Sequence, residues 1–315
     1  MLDPMTTPIP TLDHEYKNHH LDSTRWNAFV PRDDDIIVST SYKSGTTWMQ
    51  HIIHQLIFKG DEGALPPGFC SPWLDARFQG SLEEVTAGLE AQTHRRFVKS
   101  HLPFDGLPYY PNVKYVVVAR DARDVFMSLW NHYGNYTDEI MEQFNDRSEW
   151  SGPPFPSRPA EDRIRESWRD WMTRGWFEWE SEGWPYWGNL HHTATYWPHR
   201  DLENVELFHY SDMLRDLSGQ VQRLADYLGI EIDAAERERV VKATEFDQMK
   251  KDMLKGTNDM LKVAFKGGTD SFMFKGSNGR WREVFEAEDL ELYDKARSQL
   301  LTPECARWLE KGWLG

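Results

Sequence analysis

The stretch that most narrows what this chain can become runs from Asp35 to His51, DIIVSTSYKSGTTWMQH. A β-branched run, Ile36-Ile37-Val38, passes into small polar residues and turns at Lys43-Ser44-Gly45. Beyond the turn, Met49, Ile52, Ile53 and Leu56 recur three and four apart, which lays them along one helix face. Thr46 and Thr47 stand at the helix mouth, where hydroxyls can cap free N–H groups. A strand, a small-residue turn and a helix N-terminus bring several N–H groups and the positive end of the helix dipole to one point. Lys43 adds a full charge there, so the stretch suits an anion. The plainer alternative is an ordinary capped strand-to-helix connection.

Further strands are expected at Arg95–Ser100, Lys114–Ala119 and Val205–Phe208. KYVVVA has no polar alternation, as in a parallel sheet covered on both faces. Helical spacing follows Arg120 (Ala122, Val125, Phe126, Leu129, Tyr133) and fills Tyr210–Leu228 (Leu214, Leu217, Val221, Leu224, Leu228). The charged, Trp-rich segment from Pro159 reads as helical to about Trp179, whereas 60–80, 148–159 and 256–279 read as loops. Strands alternating with helices give an α/β fold with a central, mainly parallel sheet flanked by helices. Residues 1–30 lack periodicity and are expected to be an irregular lead-in to one domain over 31–315.

In such folds ligands bind beyond the carboxyl ends of the strands. Three strand ends carry cations or imidazole: Lys43–Thr47, Lys99–His101 and Arg120–Asp124. Against them stands a chain of 36 Lys and Arg and 51 Asp and Glu, net −15, which argues against general nucleic-acid binding. A local basic pocket in an acidic protein implies one anionic ligand. Cys70 and Cys305 match no metal or redox spacing, no apolar run approaches a membrane span, and the N-terminus lacks the order of a secretory signal. A cytoplasmic protein is expected.

The nucleoside triphosphatase P-loop needs its lysine after the second glycine, and here Lys43 precedes the only nearby glycine. A Mg-dependent ATPase or kinase is therefore disfavoured. The segment YKSGTTW instead resembles the PKSGTTW phosphosulfate loop of the cytosolic sulfotransferases. Lys99-Ser100-His101-Leu102-Pro103 resembles that family's KTHLP, and Val118–Val125 with Ser128 is similar to its 3′-phosphate segment. Phe208–Met213 resembles FYEDM, and Lys275–Trp281 resembles RKGxxGDW. The five motifs occur in family order from Asp35 to about Phe285.

The resemblance implies a P-loop-NTPase-like core and 3′-phosphoadenosine 5′-phosphosulfate as donor, without a metal. It implies transfer of the sulfuryl group to a hydroxyl, less readily an amine, of a small, partly apolar acceptor. Lys43, Ser44, Gly45, Thr46 and Thr47 would hold the 5′-phosphosulfate, and Arg120 and Ser128 the 3′-phosphate. Trp48, Tyr210, Thr244 and Phe246 match adenine-pocket positions, and Phe274, Lys275 and Gly276 the C-terminal loop. His101 would be the general base, with Lys43 and Lys99 neutralising charge on the leaving phosphate. His51 and His54 lack further ligands and read as packing residues.

Three departures stand out. Tyr42 replaces the proline before the loop lysine, and Phe274 the arginine of RKG, for which Lys275, Arg280 or Lys266 would compensate. The family's dimer motif is not recognisable in Arg282–Glu291, which leaves the oligomeric state open. Phe78, Phe104 and, by a looser match, His192 are expected on the acceptor side, with Trp73, Trp130 and Tyr133 as further candidates. The lost arginine and altered loop leave a second possibility, a catalytically silent binder of adenosine 3′,5′-bisphosphate.

Overall fold

The computed structural model describes residues 7–61, 63–146, 148, 150, 152–255 and 259–315. Four strands, β1 (Ile36–Thr40), β2 (Phe97–Ser100), β3 (Lys114–Ala119) and β4 (Val205–His209), form one parallel sheet in the order β2-β1-β3-β4. The register sets Ile36 beside both Phe97 and Lys114, and Tyr115 beside Val205. Helices cover both faces, which is why the strands read as consecutive apolar residues. The period of two divides each strand between two cores. Ile37, Tyr115, Val117 and Leu207 join the larger core, and Ile36, Val38, Val116, Val118 and Phe208 the smaller.

Helix α1 (Thr46–Phe58) buries Met49, Ile52, Ile53 and Leu56 in the smaller core, each contributing about 1.5–3 kcal/mol of transfer free energy. Helix α2 (Ala122–Gly134) places Val125, Phe126, Leu129 and Tyr133 in the larger one, beside Trp168 and Trp171 of α3 (Ile164–Thr173). Helix α4 (Leu190–Tyr196) precedes β4, and α5 (Tyr210–Arg215), α6 (Leu217–Leu228), α7 (Ala234–Ala243) and α8 (Phe246–Lys255) follow it.

The helix expected over Tyr210–Leu228 is two helices. Asp216, at φ −144°, leaves helical geometry, and its carboxylate accepts from the N–H of Gly219 to cap the second. The helix expected to reach Trp179 stops at Thr173. Trp184 N–H returns to the Arg174 carbonyl at 2.8 Å, so the chain doubles back. The 256–279 region carries two short helices, Asp259–Ala264 and Thr269–Phe272, and is tied to α2 through Lys266 N–H on the Asn135 carbonyl. Residues 256–258 lie outside the described residues. In the 60–80 loop, Pro67–Cys70 forms one helical turn.

The N-terminal segment is mostly irregular, with a 3₁₀ helix at Ser23–Ala28, yet Tyr16, Leu21 and Trp26 sit in the larger core. Since β2 lies on one side of β1 and β3 on the other, strand order reverses between β1 and β3. The loops at their carboxyl ends flank a crevice at that point.

Candidate functional site

Between β1 and α1 the chain must reverse within Ser41–Gly45, and it does so through left-handed backbone at Lys43 (φ +66°) and Gly45 (φ +113°). A β-carbon on Gly45 would lie 3.0 Å from the Tyr210 ring, so glycine also permits the close approach of that side chain. Ser41 and Ser44 hydroxyls meet at 2.6 Å beneath the turn, and Asn189 Nδ2 donates to Ser41 Oγ at 2.6 Å. Contrary to expectation, neither threonine caps the helix. Gly45 is the N-cap, no side chain caps it, and Thr46 Oγ1 turns back to Thr40 Oγ1 at 2.5 Å.

Lys43 extends along the cleft. Its Nζ lies 3.2 Å from His132 Nδ1 and 5.1 Å from the Phe272 ring centre. Burial, with Lys99 and Arg120 nearby, lowers its ammonium to about 7. Lys99, at the end of β2, lies 4.2 Å over the Trp73 ring, and burial lowers it to about 8 against the pull of Asp75. His101 is 3% exposed, with Nδ1 2.8 Å from the Thr40 carbonyl. A carbonyl only accepts, so Nδ1 carries the proton and Nε2 keeps its lone pair. Burial, reinforced by Lys99 and Lys43, holds this imidazole neutral, well below the usual histidine range.

At the other end Arg120, just past β3, donates to the Lys43 carbonyl (3.2 Å), the Ser277 carbonyl (3.0 Å) and Asn278 Oδ1 (3.0 Å). Its guanidinium lies 4.2 Å over the Tyr210 ring, and Tyr210 donates to the Gly276 carbonyl at 2.9 Å. Asp124 receives the N–H of Gly279 at 2.6 Å. The 275–280 loop is thus fastened across the cleft by α2 and α5.

One cleft is lined by Lys43, Gly45, Thr46, Thr47, Trp48, Lys99, His101, Arg120, Ser128, Tyr210, Thr244, Phe246, Phe274, Lys275 and Gly276. Ser44 is buried beneath it. Lys275 and Arg280 line the cleft, whereas Lys266 points away to Asp138 at 3.7 Å.

Comparison with known proteins fits this geometry. A sulfotransferase domain model matches residues 33–303. The chain belongs to the sulfotransferase family. It is 35% identical over 316 residues to a glycolipid sulfotransferase of Mycobacterium tuberculosis, with 95% of each chain covered. It is 25% identical over 290 residues to sulfotransferase 1B1 of Canis lupus familiaris, with 89% of each covered. Two solved structures share the fold. One is retinol dehydratase in complex with androsterone and inactive cofactor PAP (TM-score 0.67, 23% identity, 89% of this chain and 84% of that one). The other is mouse sulfotransferase SULT7A1 complexed with PAP (TM-score 0.67, 19% identity, 95% and 98%).

The protein is a sulfotransferase that uses 3′-phosphoadenosine 5′-phosphosulfate. The residues present fit such a donor. Trp48 Nε1 and Arg280 Nε are buried polar atoms on cleft-lining residues with no hydrogen-bond partner among the described residues. Trp48 and Tyr210 meet edge-on at 5.4 Å, with Phe246 also in the wall, so the cleft offers aromatic surface on which a purine can stack.

None of the residues expected on the acceptor side lines this cleft. Phe104 is 1% exposed and stacks on Tyr196 at 4.4 Å inside the core. His192 is equally enclosed, its Nε2 3.1 Å from Ser39 Oγ, and Phe78 packs on Trp73 and Phe144 outside the cleft lining. Trp130 and Tyr133 belong to the core beneath α2. The sequence motifs did not reveal Asn131, His132, Leu214, Met249, Phe272 or Met273, which also line the cleft. Asn131 and His132 continue the α2 face of Ser128, and helical spacing from that residue was the available signal. His51 and His54 meet the backbone carbonyls of Thr47 (2.7 Å) and Leu65 (2.8 Å). No group of three or more His, Cys, Asp or Glu able to hold a metal occurs among the described residues, nor does any helix long and apolar enough to cross a membrane.

Proposed function

We propose that the enzyme transfers the sulfuryl group in line to an acceptor hydroxyl, with His101 as general base and Lys43 and Lys99 stabilising the leaving phosphate. The observation that carries this reading is the fixed tautomer of His101. Its Nδ1 is spent on the Thr40 carbonyl, and the residue lines the same cleft as both lysines. A neutral imidazole with a free Nε2 can take a proton from a hydroxyl. The donor supplies the sulfuryl group through a mixed phosphoric–sulfuric anhydride, whose S–O bond to the bridging oxygen breaks as the acceptor oxygen attacks sulfur. Lys43 and the uncapped first turn of α1 face its anionic junction, Arg120, Ser128 and Arg280 hold the 3′-phosphate, and Trp48, Tyr210, Thr244 and Phe246 enclose the base. Arg280 and Lys275 stand in for the arginine that Phe274 replaces.

The acceptor is proposed to be a sugar hydroxyl of a glycolipid. Two things support this. The Mycobacterium tuberculosis relative, similar over 95% of both chains, is named a glycolipid sulfotransferase. In addition, the rings around His101 combine apolar faces with polar edges. Trp73 lies 4.8 Å and Tyr42 4.6 Å from it, with the Tyr136 and His132 edges beyond. Such walls suit the C–H face and the hydroxyls of a sugar.

Incubation with labelled donor and a panel of glycolipids, phenols, alcohols and amines tests the reading. Labelled glycolipid is expected from the wild type. His101→Ala should lose about 10²–10⁴-fold in rate while still binding adenosine 3′,5′-bisphosphate. Bisphosphate binding with no sulfated product from any acceptor would instead establish a silent binder.

A further inference from the structure

Tyr42 and His132 line the cleft, and neither the proton transfer nor the stabilisation of the leaving phosphate gives them a part. His132 lies on α2 and is 4% exposed. Its Nδ1 is 3.2 Å from Lys43 Nζ and its Nε2 3.4 Å from the Tyr42 hydroxyl. A charged ammonium has no lone pair, so Lys43 donates and Nδ1 accepts. The single proton of the neutral ring then sits on Nε2, facing the Tyr42 oxygen. Burial and the charges of Lys43 and Lys99 keep His132 neutral, the form able to accept. Tyr42 is in turn set between Trp187 (4.2 Å) and His101 (4.6 Å), its hydroxyl 3.4 Å from that of Tyr136. A proline at position 42 would offer no such hydroxyl.

We propose that His132 is a positioning residue for Lys43: its Nδ1 aims the ammonium along the cleft, and Tyr42 fixes the plane and tautomer of the imidazole. The proposal rests on the sulfuryl-transfer reading of Lys43. A lysine stem carries about 2 kcal/mol of rotamer entropy. Ordering it before the reaction removes that cost from the transition state. The Phe272 ring 5.1 Å away restrains the same ammonium without choosing a direction for it, whereas a hydrogen-bond acceptor does choose one. A merely space-filling His132, packed on Phe265 at 4.7 Å and Tyr136 at 5.1 Å, would tolerate phenylalanine.

The test uses the full chain. In ¹⁵N-histidine spectra, His132 should carry its proton on Nε2, and its Nδ1 resonance should shift in Lys43→Met. In kinetics, His132→Asn, whose amide oxygen can occupy the Nδ1 place, should keep kcat within about threefold of wild type. His132→Phe, and His132→Gln with its polar group nearer the Nε2 place, should lose about tenfold or more in kcat, with donor KM changed by less than about threefold. The His132→Phe loss should vanish in a Lys43→Met background. A proton on Nδ1, an Nδ1 signal indifferent to Lys43→Met, His132→Asn as impaired as His132→Phe, or an equal loss in the Lys43→Met background would overturn the proposal. Should the wild type sulfate no acceptor, the functional reading alone falls, because the nitrogen spectra decide the Lys43–His132 bond without turnover.

Discussion

Lys43 sets function against stability. Buried, and packed beside Lys99 and Arg120, its ammonium falls from an ordinary 10.5 to about 7, so the ligand-free protein bears a penalty for keeping it charged. The unfolded chain keeps this proton up to about 10.5 and the folded chain releases it near 7, so stability rises with pH between those values. Lys43→Met should therefore slow transfer about 10²–10³-fold while raising the melting temperature of the ligand-free protein. The gain should be largest below pH 7 and fade toward pH 10, as calorimetry across that range would show. A variant less stable than wild type at pH 6.5 would contradict this account. Of the residue-scale features, Lys43, His101 and Arg120 were legible because the motif spells them in order. His132 was not, because its partners, Lys43 and Tyr42, lie 89 and 90 positions away in the chain.

Among the elements, the 275–280 loop shows how backbone geometry shapes the cleft. Gly276 has φ +63°, and a β-carbon there would stand 2.7 Å from the Phe246 ring. Gly276→Ala should cost about 1–2 kcal/mol in the loop and displace Phe246, weakening adenosine 3′,5′-bisphosphate binding about tenfold by titration calorimetry. Unchanged affinity would show that Phe246 does not contact the base. Strands β1 and β3 were readable because burial on both faces imposes apolar runs, Ile36–Val38 and Tyr115–Ala119. The break at Asp216 was hidden because Leu214, Leu217 and Val221 keep helical spacing across it; only the side-chain bond to Gly219 N–H reveals the second start.

Across the whole molecule, the N-terminal segment reaches the site through one buried carboxylate. Asp75 is fully buried, raised by burial, and accepts from Trp26 Nε1 (3.0 Å) and Trp73 Nε1 (2.8 Å), while the Trp73 ring lies under Lys99. Trp26→Ala should destabilise the protein by about 3–5 kcal/mol in urea unfolding. It also leaves Asp75 one donor short, so Lys99 loses part of its support. A chain begun at residue 31 should be less stable still, since Tyr16 and Leu21 go with Trp26. A shortened chain with wild-type stability and activity would reduce the segment to an appendage.

By itself the sequence determined the α/β class and named most of the residues that the structure gathers in one cleft, because the motifs set particular residue types at short, ordered spacings around strand ends. It also ruled out the ATP-type loop through the place of Lys43 relative to Gly45. Only the tertiary structure decided which aromatics surround His101, that Phe104 and His192 are core, and what Tyr42 touches. Those facts depend on side chains from distant segments meeting in one volume, and packing of that kind leaves no periodic trace along the chain.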